Sequence, residues 1–242
     1  GATYQLISSS PPRELVIVLV NKNSPAADAG LQRGDRIVTV DGVDLVDGSD
    51  TDTLNAGLWP DRIDEEHSFE VLDPTTSERR TVTMESAQIN TDAVPETRIL
   101  DTDSGTVGYL MFTDHILTAE QQLVDAITEM RDSNVTDLIL DLRYNRGGYL
   151  YLANQISYMV AGAGVSGRTF SSLEFNNKNP GVNPVTGGAV SPDPFLTTTT
   201  ENASPAGSAL PTLELPRQRV FVLTTNSTCS ASEAIINGLR GV

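Results

Sequence analysis

Ser230 lies in Ser230-Ala231-Ser232-Glu233, after the apolar run 219–225 (RVFVLTT) and before the helical pattern 234–239 (AIINGL). The first run reads as a short buried strand and the second as the opening of a helix, with Asn226-Ser227-Thr228-Cys229 as the turn between them. A hydroxyl at a strand-to-helix turn stands clear of the packed layers, beside backbone N–H groups able to hold a developing oxyanion. That is the presentation a nucleophilic serine needs. Ser230-x-x-Glu233 is also the pattern of a capping box, in which Glu reaches back to the N–H of the cap. The two roles are compatible. A serine needs a base to take its proton. His115 follows Asp114 and raises a Ser-His-Asp set, although a lone Asp-His pair is ordinarily a surface or turn feature. Cys229 offers a second nucleophile, but a catalytic thiol wants a paired His or another thiolate-stabilising environment. A lysine kept neutral by desolvation can replace the histidine. The sequence has 16 basic residues, and only Lys22 and Lys178 are lysines.

The elements around Ser230 alternate. Residues 106–112 (TVGYLMF) read as a strand, and Thr118 is placed to cap a helix over 119–131. Leu123, Ile127 and Met130 fall at i, i+4 and i+7, which gives that helix one apolar face. Residues 137–142 (DLILDL) form the next buried strand and run into Arg143-Tyr144-Asn145-Arg146-Gly147-Gly148, with a helix over 149–161. Alternating strand and helix predict an α/β layered domain with a largely parallel sheet. Sites in such sheets gather at the carboxyl ends of the strands. Gly147-Gly148 and Ser230 each follow a strand end, so they are expected at one site. Residues 176–212 are rich in Pro, Gly, Thr and Ala and read as a lid, a substrate-facing excursion or a solvated insertion.

The first third is rich in strands. Residues 14–20 (ELVIVLV) and 36–40 read as strands, as do 67–72 and 80–84. Ser24-Pro25-Ala26-Ala27 starts a short capped helix, Gly30 ends it, and 51–58 forms a second helix. The run SPAADAGLQRGDRIVTVDG resembles the heart of a PDZ domain. PDZ domains add a peptide C-terminus as a strand to a sheet edge and hold its carboxylate in backbone N–H groups. The resemblance implies that residues 1–6, with Ala2, Thr3 and Tyr4 among them, form the carboxylate loop and edge strand. It also implies that Leu54 and Leu58, one turn apart, line the groove.

A formal charge of −16 and a pI near 4.3 argue against nucleic acid and anionic membrane surfaces as partners. No apolar run approaches the roughly 20 residues of a membrane span, and no signal-peptide pattern opens the chain. One cysteine rules out an internal disulfide. The acidic stretches 41–52 and 101–105 lack the complete pattern of a calcium loop, so no metal site is expected.

Taken together, LILDLRYNRGG, VLTTNSTCSASEAIINGL and the preceding PDZ pattern resemble the carboxyl-terminal processing (tail-specific) protease family, in the family's order. The resemblance implies an α/β protease domain (ClpP/crotonase-like) preceded by a small β-rich PDZ domain. The expected organisation is a PDZ-like domain over 1–88, a connector over 89–105 and a protease domain over 106–242, incomplete at its C-terminus. Ser230 is implied as the nucleophile of a Ser/Lys dyad acting through an acyl-enzyme. Gly147, Gly148 and the N–H of Ala231 are implied as the oxyanion hole, and no cofactor is needed. In the family the lysine follows the nucleophile beyond the next strand. Val242 lies 12 residues after Ser230 (242 − 230), and neither lysine matches that position. The expectation is therefore a parent protein longer at both ends and a 242-residue fragment inactive as a protease. The implied partners are proteins or peptides with free C-termini, and the implied location is the bacterial cell envelope. A non-catalytic PDZ-containing protein that binds protein C-termini is the alternative. A hydrolase or lyase of related fold acting on small acyl compounds is a third reading, disfavoured by the PDZ half.

Overall fold

Period-2 alternation shapes the first third of the chain: Leu15 and Ile17, and Phe69 and Val71, point into one core, and a register shift between residues 37 and 39 lets Ile37 and Val40, three apart, point into it as well. The computed structural model describes residues 1–242, which separate into two units, Gly1–Thr91 and Asp92–Val242. The first contains β1 (Ala2–Ser8), β2 (Glu14–Val20), α1 (Pro25–Asp28), β3 (Arg36–Val40), β4 (Val43–Asp44), α2 (Thr51–Leu58), β5 (Glu66–Leu72) and β6 (Arg79–Glu85). Its antiparallel sheet runs β1-β2-β3-β5-β6, with β4 paired to β3. Ser24 caps α1 as expected, its hydroxyl accepting from the Ala27 N–H at 3.2 Å. Leu54 and Leu58 bring α2 onto the sheet.

The second unit contains β7 (Glu96–Thr102), β8 (Gly105–Met111), α3 (Ala119–Asp132), β9 (Asp137–Asp141), α4 (Leu150–Ala161), β10 (Thr169–Ser171), β11 (Asp193–Pro194), β12 (Val220–Leu223) and α5 (Ala231–Arg240). Its main sheet runs β12-β9-β8-β7, parallel except for the antiparallel β7–β8 pair. Leu138 and Leu140 of β9 pack against Leu123, Ile127 and Met130 of α3 and Leu152, Ile156 and Met159 of α4 in one core. The apolar stripe predicted for α3 is the buried face of the helix.

Three local expectations are corrected. Residues 89–105 are not simply a connector, because β7 lies within them as the sheet's edge strand. An edge strand is only partly covered, so ETRILDT lacks the apolar run that marks β9. Thr118 does not cap α3: it already has helical angles (φ −68°, ψ −13°) and its side chain makes no capping bond. The chain instead enters through a tight turn in which the Ala119 N–H donates to the Ile116 carbonyl. Finally, α5 starts at Ala231 rather than 234, because its first turn is polar and the periodic apolar positions begin one turn later.

The long segment over 176–212 is two things. Residues 172–192 make an exposed excursion whose base is clipped by the β10–β11 pair. Further along the segment is docked, with Phe195 and Leu210 buried. Glu120, 1 % exposed, accepts from the Thr200 N–H (2.6 Å), the Thr200 hydroxyl and Gln155 Nε2 (2.7 Å). Asn154 brackets β11 by donating to the Pro194 carbonyl and accepting from the Leu196 N–H.

Candidate functional site

β9 and β12 are parallel neighbours, so the turns leaving their carboxyl ends lie side by side. The turn after β12 is tied to the chain after β9 throughout its length. Thr225 Oγ1 donates to the Arg143 carbonyl, and Thr228 Oγ1 donates to Leu142 at 2.8 Å. The Cys229 thiol faces the Arg146 carbonyl at 3.0 Å, and Ser232 Oγ donates to the Asn145 carbonyl at 3.1 Å. The glycine turn and the serine turn form one stitched unit.

Ser230 stands exposed at the head of α5 with φ +58° and ψ −122°. A side-chain-bearing residue adopts such angles only when its surroundings impose them, at a cost of roughly 1–3 kcal/mol. What imposes them is visible on both sides. Glu233 Oε2 accepts from the Ser230 N–H at 2.9 Å, and the Ser230 carbonyl accepts from the N–H groups of Glu233 and Ala234. The capping arrangement is thus present, and it holds the strained turn. Across from it, Gly147 (φ +96°) approaches so closely that a Cβ would sit 2.6 Å from Ser230 Cβ and 2.8 Å from the Ala231 nitrogen. No other residue fits there.

The oxyanion expectation needs one correction. The Gly147 N–H already donates to Asn145 Oδ1 at 2.9 Å, so it is not a free donor. Gly148 is different. It forms a bridge with His115 in which the Gly147 carbonyl accepts from the His115 N–H (3.3 Å) and the His115 carbonyl from the Tyr149 N–H (2.9 Å). Gly148's own N–H lies outside that bridge on an exposed residue. Ala231 is the first residue of α5, where an N–H has no intrahelical acceptor. Gly148 and Ala231 are therefore the available donors, and Gly147 serves by letting the turns touch.

His115 is not a surface residue but 1 % exposed. Its Nδ1 lies 2.8 Å from Asn145 Oδ1, its ring packs on Phe112, and its Nε2 is buried without a hydrogen-bond partner. Burial pushes its pKa down to about 4, so the ring is neutral. Burial also raises Asp114. No hydrogen bond joins either residue to Ser230, and the arrangement is not a Ser-His-Asp triad. Lys178 sits exposed in the excursion, and Lys22 belongs to the first unit. At the end of β9, burial works against ionisation of Asp141, but the hydrogen bonds from Arg143 and Tyr109 prevail and hold it below the usual carboxylate range. The Arg143 fork thereby fixes the start of the glycine turn. Asn145 and the structural part of His115 escaped the sequence reading. The available signal was an Asn two residues before a glycine at a strand end, where its side chain can accept from the backbone N–H two residues on.

In the first unit a cavity of about 360 Å³ opens beside β1 and α2. Ala2, Tyr4 and Leu58 line it, joined by Trp59, Phe69 and Met84. Thr3 points the other way, to solvent, because strand side chains alternate. Leu54 lies in the core rather than on the cavity wall. Trp59 is 58 % exposed and meets Tyr4 edge-on, with ring centroids 6.2 Å apart. Burial raises the Tyr4 phenol to about 12. A second cavity of about 530 Å³, between α4, β12 and α5, contains none of Gly147, Gly148 and Ser230.

A strained serine against a glycine turn, on an α/β unit preceded by a β-rich unit, defines the architecture of a PDZ-bearing serine peptidase. Comparison with known proteins bears this out: the profile of peptidase family S41 matches residues 106–241 and that of the PDZ domain residues 16–56. The chain belongs to peptidase family S41. It is 28 % identical over 155 residues to the carboxyl-terminal-processing protease of Synechocystis sp., covering 62 % of this chain and 35 % of that one. It is likewise 28 % identical over 147 residues to the carboxy-terminal processing protease CtpB of Bacillus subtilis, covering 59 % and 29 %. The chain thus spans about a third of the length of these relatives. A Bacteroides fragilis protein assigned to the S41 proteases shares the fold over the whole of this chain and 60 % of its own, with a TM-score of 0.67 at 24 % identity. The photosystem II D1 C-terminal processing protease does so over the whole of this chain and 57 % of its own, with a TM-score of 0.53 at 20 % identity.

Proposed function

We propose that the protein is a serine endopeptidase of the carboxyl-terminal processing type, with Ser230 as nucleophile and the first unit as reader of substrate C-termini. The observation that carries the reading is the strained Ser230, held at φ +58° against a glycine that nothing larger can replace. Ser230 Oγ attacks the scissile carbonyl carbon, while the N–H groups of Gly148 and Ala231 take the charge that develops on the carbonyl oxygen. The carbon–nitrogen bond then breaks, and the proton from Oγ passes through the base to the leaving amine. Water hydrolyses the Ser230 ester, releasing the carboxylate and restoring the hydroxyl. The base is a lysine kept neutral by burial. Neither Lys22 nor Lys178 takes that role, so the lysine is supplied outside these residues, and the 242-residue chain alone does not cleave. The cavity beside β1 and α2 takes an apolar C-terminal side chain while the peptide adds to the free edge of β1. The enzyme works in the cell envelope, which agrees with the acidic charge and single cysteine of the chain; no helix is long and apolar enough to cross a membrane. The test is cleavage of an unfolded protein with an apolar tail by the full-length protein, its Ser230→Ala variant and the 242-residue chain. Cleavage by the full-length wild type alone supports the whole reading. Tail binding without cleavage by the full-length protein would favour a non-catalytic C-terminus binder.

A further inference from the structure

Asn145 is fully buried, and each of its polar groups is engaged. Its Oδ1 accepts from the Gly147 N–H at 2.9 Å and from His115 Nδ1 at 2.8 Å. Its Nδ2 donates to the Phe112 carbonyl at 3.0 Å, just past the end of β8. Its backbone carbonyl accepts from Ser232 Oγ at 3.1 Å and from the Cys229 N–H at 3.4 Å, and its N–H donates to Leu142 at 3.1 Å. One residue therefore ties the end of β8, the glycine turn and the serine turn together.

His115 contributes orientation as well as packing against Phe112. Asn145 Oδ1 can only accept, so Nδ1 of the imidazole carries the proton and Nε2 is bare. Nε2 is buried and unpartnered, which costs stability. A phenylalanine would fill the same space beside Phe112 without that cost. What the imidazole supplies and a phenyl ring lacks is the Nδ1–H that fixes Asn145. The backbone of His115 meanwhile grips both neighbours of Gly148.

We infer that Asn145, oriented by His115, is the positioning residue that holds the glycine turn in register with the serine turn, so that the N–H groups of Gly148 and Ala231 converge on one point. The inference rests on the proposed role of Ser230. It assigns His115 a task other than that of a base: it touches no reacting atom and acts through Asn145.

The experiment compares the full-length protein with its His115→Phe, His115→Asn, Asn145→Ala and Ser230→Ala variants, reading kcat, KM and hydrogen exchange at the Gly147 amide. His115→Phe and Asn145→Ala are expected to lower kcat by about tenfold to a hundredfold with KM within about twofold, because displaced donors lose transition-state contacts first. Gly147 exchange should quicken in both. His115→Asn restores an N–H near the place of Nδ1 and should recover most of kcat and of the protection. If Asn145→Ala does not fold, the two His115 variants decide the matter. Unchanged Gly147 exchange in His115→Phe would overturn the inference, as would a kcat loss that His115→Asn does not recover. Were Ser230→Ala to cleave as well as wild type, the nucleophile assignment would fall, and Gly147 exchange alone would then decide the positioning claim.

Discussion

The cavity of the first unit and the serine turn of the second are built from different materials. The cavity is made largely of side chains: Tyr4, Leu58, Phe69 and Met84 stand on regular elements, and none of them has a positive φ. The serine turn is made of backbone: positive φ at Gly147, Gly148 and Ser230, two outward N–H groups, and a buried asparagine that fastens them. A binding groove tolerates adjustment because contact energy is spread over many atoms. A site that must meet a developing charge depends on a few donors at fixed distances. The two regions should therefore respond very differently to small changes.

The largest effect expected is from Gly147→Ala. A methyl there would meet Ser230 Cβ and two backbone atoms at 3.0 Å or less, and φ +96° is itself unfavourable for alanine. The substitution should cost about 3 kcal/mol or more, read by denaturant unfolding of the whole chain. A cost below about 1 kcal/mol would mean that the turns are not locked together.

Acid sensitivity comes next. Folded His115 resists protonation until about pH 4, whereas the unfolded residue takes a proton near 6.5. Its contribution is therefore intact above pH 6.5 and is lost as pH falls from 6.5 towards 4, by up to about 3 kcal/mol. The pH-stability curve of His115→Asn should lack that slope, and parallel curves for the two proteins would refute the assignment of a buried neutral imidazole.

Ser230→Gly should act in the opposite sense, raising stability by about 1 kcal/mol by relieving φ +58° while removing the nucleophile. A destabilised Ser230→Gly would show that the turn is not strained. The last effect belongs to the cavity and is read as binding rather than as stability. Tyr4→Ala should weaken binding of a peptide with an apolar C-terminus by about tenfold, roughly 1.4 kcal/mol. In the 242-residue chain, Trp59 is the only tryptophan and lines the cavity, so its fluorescence should follow that binding. An unchanged affinity would place the peptide elsewhere.

This contrast also explains what could be read from the residues alone. Periodic features were legible: the stripe of Leu123, Ile127 and Met130, the buried β9, and the pattern around Ser24 that caps α1. The serine motif and its two glycines were legible as well, because turn geometry restricts residue type. The edge strand β7 was hidden because it is half-exposed and polar. The joint role of Asn145 and His115 was hidden for another reason: their partners lie up to 87 residues away, and no local pattern encodes a hydrogen bond across that distance. The division of labour between Gly147 and Gly148 likewise depends on which N–H the asparagine occupies.

The experiment that decides most directly is cleavage of an unfolded, apolar-tailed protein by the full-length protein and its Ser230→Ala variant, with tail binding followed in parallel by fluorescence anisotropy of a labelled tail peptide. Both proteins should bind the tail equally, and the variant should cleave at least about 10⁴-fold more slowly. Cleavage that survives Ser230→Ala would contradict the nucleophile assignment.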